Sequence, residues 1–109
     1  MSYRLVIVQT AESDVEEIYG YIYNRSPQGA VTWYRAYLAC LERIERGPMA
    51  CAFALEHAEF SLELRQALFK TRAGSPYRCV FTVVEDEIRI LRVRGRGQEL
   101  LKPGDIVDC

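Results

Sequence analysis

Histidine is almost missing from this chain, and its cysteines are not arranged to hold a metal. His57 is the one histidine in 109 residues. The four cysteines, Cys40, Cys51, Cys79 and Cys109, contain no C-x-x-C pair, so the donor spacing of a structural zinc site is absent. No cofactor and no metal is expected. No apolar run approaches the ~20 residues of a membrane-spanning helix. Met1-Ser-Tyr-Arg4 leads into a strand rather than a signal sequence. These absences predict a cytoplasmic protein with free thiols. The chain also lacks a strong net charge, at −1, which excludes the overall basic field of a general polyanion binder.

Half the residues are hydrophobic and 27% are charged, the balance of one globular domain. Charge is uneven along it. Residues 1–60 hold five Lys/Arg against eight Asp/Glu, and residues 61–102 hold nine against five. Tyr3-Arg-Leu-Val-Ile-Val8 is a β-branched, apolar run and reads as a first strand. Thr10 and Ser13 are candidate caps for a following helix, and Ser13 with Glu16 has capping-box spacing. Ala11, Val15, Ile18 and Ile22 recur at helical period. Ser26-Pro27 then caps and starts a second helix, with Ala30, Trp33, Tyr34, Tyr37, Leu38, Leu41 and Ile44 on one face, ended by Gly47-Pro48. So short a connection predicts an αα-hairpin. Residues 49–60 read as loop, and His57 as an exposed structural histidine.

Residues 62–69, 77–84 and 87–94 read as three strands, joined by turns at Ala73-Gly-Ser-Pro76 and Glu85-Asp86. Arginine recurs along them at Arg65, Arg78, Arg89, Arg92 and Arg94, which predicts one face for a core and one for an anionic partner. The predicted fold is α+β: an N-terminal strand and an αα-hairpin packed on a twisted, mostly antiparallel four-stranded sheet. Residues 1–98 form the domain, and 99–109 a tail that is disordered or ordered by a partner.

The order strand, helix, helix, loop, three strands resembles the RelE/ParE superfamily of type II toxin–antitoxin toxins, the plasmid stabilisation proteins. The resemblance spans about residues 3–98. Tyr77-Arg-Cys-Val-Phe81 and Ile88-Arg-Ile-Leu-Arg-Val-Arg94 carry most of it, beside Ser26-Pro27…Trp33 and Glu63-Leu-Arg65. It implies a cytoplasmic bacterial toxin neutralised by an antitoxin whose C-terminal segment wraps it. Two activities are implied: metal-independent mRNA cleavage on the ribosome, or poisoning of DNA gyrase.

Metal-free RNA cleavage needs a proton acceptor, a proton donor and cations around the phosphorane. Arg78 matches the family's central-strand arginine, and Arg96 the arginine after the last strand. The paired strand lysines are unmatched, because Ala67-Leu-Phe69 is apolar there and Lys70 lies just beyond. No tyrosine or histidine follows Tyr77. Lysine and arginine alone shuttle protons poorly at neutral pH. This favours a gyrase-binding toxin over a ribonuclease, for which Arg78, Arg96 and Lys70 are the catalytic candidates. A degenerate, non-toxic module that binds antitoxin or nucleic acid is the further alternative. Arg65, Arg78, Arg92, Arg94, Trp33 and Tyr37 are the expected partner contacts. Arg78→Ala is expected to weaken toxicity or antitoxin binding and to leave the fold intact.

Overall fold

A computed structural model describes residues 2–95 and 97–106 of the chain. β1 (Arg4–Ile7) is followed by α1 (Gln9–Arg25) and α2 (Pro27–Arg46). Single 3-10 turns at Pro48–Ala50 and His57–Glu59 interrupt a long connection to β2 (Arg65–Phe69), β3 (Tyr77–Val84) and β4 (Glu87–Gly95). The four strands form one sheet in the order β1-β4-β3-β2. β1 lies parallel to β4, and the other two pairings are antiparallel.

The hairpin of helices forms where the sequence places it. Ser26 Oγ accepts from Gly29 N at 2.9 Å, with Pro27 at the first helical position, so a spare N–H is satisfied where proline has none to give. The start of α1 differs from expectation. The helix begins at Gln9, with Val8 as an N-cap that offers no side chain. Thr10 and Ser13 therefore lie inside the helix and cap nothing. The helix begins early because Val8 leaves the sheet with its N–H on Ile90 O at 3.1 Å and its carbonyl already accepting from Glu12 N.

The core lies between the hairpin and one sheet face. Val15, Trp33, Tyr37, Ile44, Phe69, Cys79, Phe81, Ile88, Ile90 and Val93 belong to it. Trp33 is its centre, with Tyr37, Phe69 and Tyr77 rings at 5.5–5.8 Å. Gly95 is required here, since a Cβ would stand 2.8 Å from the Tyr77 ring.

The second sheet face is covered as well. Ala54 N bonds Leu64 O, Gln66 N bonds Ala52 O, and Thr82 Oγ1 donates to Glu63 O at 2.8 Å. The first two bonds bridge Phe53 to Arg65 along the outer edge of β2, and the third ties Glu63 to β3. Val80 and Leu64 are consequently buried on that side too. Residues 99–106, read from sequence as a tail, also lie against the domain. Leu101 is 3% exposed, and Ile106 packs on the core.

β4 carries an irregularity that matters for charge. Val80 pairs with Arg92 and Phe81 with Ile90, so Leu91 is an extra residue, a β-bulge. β1 stops beside Ile90. Past that point the β4 edge is met by a side chain, because Val93 N donates to Asp14 Oδ2 at 3.0 Å.

Candidate functional site

The strand arginines do not form an open cationic face. Arg65 donates from Nε to Glu63 at 3.0 Å and from Nη1 to Cys51 O at 2.6 Å, and lies over the Phe53 ring. Arg92 makes a two-pronged pair with Asp14, at 2.7 and 2.9 Å, and reaches Asp105 O. Arg89 pairs with Glu87 at 2.7 Å. Arg78 is clasped by Glu56: Nη1 bonds Oε1 at 2.8 Å, Nη2 bonds Oε2, and Gln66 Oε1 accepts from Nη1 at 3.1 Å. The expectation of arginines free for an anionic partner is corrected at these positions. Glu63 and Glu87 stand two residues from their arginines, whereas the partners of Arg78 and Arg92 come from a loop and a helix 22 and 78 residues away, where a strand pattern read locally cannot see them.

Glu56 is the hub. Its side chain is 1% exposed, and Leu101 N donates to it at 2.9 Å. Burial pushes this carboxyl up, but hydrogen bonds from Arg78 and backbone N–H groups, with the Arg78 charge, outweigh that and hold it below the usual carboxylate range. A charge pair so enclosed needs both partners. Sequence reasoning missed Glu56 as it missed Asp14, since their partners stand 22 and 78 residues away.

Of the ribonuclease candidates, Arg78 and Lys70 are described, and they line separate clefts. Arg78 is spent on Glu56. Lys70 is exposed, one residue past the end of β2, in a groove with Arg43 and Pro76. Arg96 lies outside the described residues. His57 is half-buried rather than exposed. Its Nδ1 accepts from Leu64 N at 3.1 Å and its ring stacks on Phe53, with centroids 4.3 Å apart. It therefore acts as a fastener of the 57–64 loop. Cys40, Cys51 and Cys79 are free thiols. Among the described residues no group of His, Cys, Asp and Glu is placed to hold a metal ion, and no helix is long and apolar enough to cross a membrane.

Trp33 and Tyr37, expected as partner contacts, are core residues, each 2% exposed. Burial pushes the Tyr37 phenol up. The accessible part of the hairpin is its neighbouring face. Tyr34 and Leu38 remain 40% exposed and line a groove with Val15, Tyr19, Glu12 and Glu16. The helical period locates the face correctly, but the core side is centred on Trp33, Tyr37, Cys40 and Ile44, which turns Tyr34 and Leu38 outward.

One strand arginine differs from the rest. Arg94 stands directly opposite Arg78 across β3 and β4. Its Nη2 donates to the Glu99 carbonyl at 2.6 Å. No carboxylate pairs with it among the described residues, and its buried Nε has no hydrogen-bond partner.

The chain is thus an α+β domain, with an N-terminal strand and a helical hairpin packed on one face of a four-stranded mixed sheet. The family described as the ParE toxin of type II toxin–antitoxin system, parDE, matches residues 5–100, and the chain belongs to that family. It is similar in structure to a chain of the chromosomal ParDE toxin–antitoxin system from P. aeruginosa, with a TM-score of 0.68 and 19% identity over 86% of this chain and 96% of that one. That likeness shows the shared fold. A second solved structure, the RelBE2 toxin–antitoxin complex from Mycobacterium tuberculosis, matches with a TM-score of 0.47 and 20% identity, over 88% of this chain and 100% of that one. No curated protein matches the sequence at a significant level.

Proposed function

We propose that this chain is a growth-inhibiting toxin that acts by binding, with DNA gyrase as its target and a cognate antitoxin as its neutralising partner. The observation that carries this reading is the enclosure of Arg78 by Glu56. The central-strand arginine that a ribonuclease needs to meet phosphorane charge is already neutralised by a buried carboxylate. The one histidine has its Nδ1 on a backbone amide, and no described tyrosine stands beyond Tyr77. Binding requires none of these groups. The antitoxin contacts are the open hairpin face at Tyr34 and Leu38 and the sheet end at Arg94.

The test is inducible expression in a bacterium lacking antitoxin, with DNA and protein synthesis pulse-labelled separately. Early loss of DNA synthesis, with inhibition of purified gyrase in a supercoiling assay, is expected. Early loss of translation with cleaved mRNA would overturn the reading and return Arg78, Lys70 and Arg96 as catalytic suspects. Unimpaired growth would leave a degenerate module.

A further inference from the structure

Arg94 and its surroundings form a cleft with an unusual combination of chemistry. The cleft encloses ≈ 250 Å³ between the ends of β3 and β4 and the segment that follows β4. Arg78 and Arg94 line it, together with Leu55, Leu68 and Leu100. Those three leucines are 68%, 57% and 54% exposed. So much exposed leucine around one depression marks a contact surface.

The charge of this lining is specific. Two arginines directly opposite on neighbouring strands repel each other unless neutralised. Glu56 neutralises Arg78, and nothing described neutralises Arg94. The cleft therefore holds one guanidinium with no described carboxylate partner, its Nη2 on the Glu99 carbonyl and its buried Nε without a hydrogen-bond partner, beside exposed leucines. A single carboxylate flanked by aliphatic side chains matches that arrangement in both charge and shape. A nucleic-acid strand does not, because its phosphates need a track of free cations, and Arg65, Arg78, Arg89 and Arg92 are committed to carboxylates.

We infer that this cleft binds an acidic peptide segment of the antitoxin, one Asp or Glu carboxylate on Arg94 with leucine- or valine-like neighbours on Leu55, Leu68 and Leu100. The inference rests on the antitoxin reading above and adds the chemistry of the recognised segment.

The probe is an acetylated heptapeptide alternating leucine with aspartate, titrated into the full chain labelled with 15N and 13C. The Arg94 Nε–H signal and the methyls of Leu68 and Leu100 are expected to shift saturably. The same peptide with asparagine in place of aspartate should bind about tenfold or more weakly, the loss expected for a charge-assisted hydrogen bond. Arg94→Gln should reproduce that loss. Arg94→Lys, which keeps charge without the planar fork, should bind with intermediate strength. Equal binding of the two peptides, or no shift with either, overturns the proposal. So does a uridine heptanucleotide that moves the Arg94 signal at lower concentration than the peptide. The result is separable from the toxin assay: a chain that halts DNA synthesis but ignores the peptide refutes the cleft alone, and a chain that binds the peptide without halting growth refutes the toxin reading alone.

Discussion

Replacing Glu56 with glutamine is the sharpest test of how this domain is held together. The substitution keeps an oxygen for Leu101 N–H but removes the charge facing Arg78, whose side chain is 11% exposed. Removing one partner of a buried ion pair costs about 3–5 kcal/mol. Glu56→Gln, retaining one acceptor, belongs at the lower end, about 3 kcal/mol. For a chain of this length each 1 kcal/mol moves the thermal midpoint by roughly 4 °C, so a fall of about 12 °C is expected. Arg78→Met alone should cost a similar amount by stranding Glu56, so Arg78→Ala should not leave the fold intact as its sequence position suggests. The double variant should cost much less than the two single losses together, because no orphaned charge remains. Urea unfolding of all four proteins gives the coupling energy, expected at about 2–3 kcal/mol. Coupling under about 0.5 kcal/mol would refute the reasoning. The pH dependence has a defined sign. Glu56 holds its proton less tightly folded than unfolded, so its stabilisation is complete above the unfolded value near 4.5 and is lost as pH falls through the lower folded value. Glu56→Gln should flatten the acid limb of the stability curve.

Three other substitutions test separate parts of the structure. Asp14→Ala removes the acceptor for Arg92 and for Val93 N–H, and should cost about 2–3 kcal/mol with faster amide exchange at Val93. Gly95→Ala forces the Tyr77 ring off its place beside Trp33; a loss of about 1–3 kcal/mol and a changed near-ultraviolet circular dichroism signal are expected. Leu101→Ala leaves a cavity under the 99–106 segment and should lower stability in urea by about 2–4 kcal/mol. An unchanged midpoint for that variant would mean the segment is an appendage.

What the sequence makes legible here is local. Ser26-Pro27 marks a cap and a helix start within four residues, and Glu85-Asp86 a turn, with Glu85 at φ 58°. Strand and helix periods therefore give the element order and the face of each helix. The long-range charge pairs leave no such mark. Glu56 sits in an undistinguished loop, and Asp14 reads as ordinary acidic decoration of a first helical turn. The bulge at Leu91 is equally silent, because Ile88-Arg-Ile-Leu-Arg-Val looks like an alternating strand with one slip. An arginine on a strand reads as a hand held out to a partner, and only the fold reveals that Arg65, Arg78 and Arg92 already hold something. Arg94 is the exception that the pattern cannot single out.

The parallel pairing of β1 with β4 places Arg4 beside Glu87, so the opening strand has no neighbour until the closing one has been made. The contacts within the helical hairpin are close in sequence, whereas Trp33 and Tyr37 are covered on the sheet side by Phe69 and Tyr77, more than thirty residues further along the chain. Contacts so distant along the chain slow folding. Until β4 is made, Leu5 and Ile7 have no strand to lie beside.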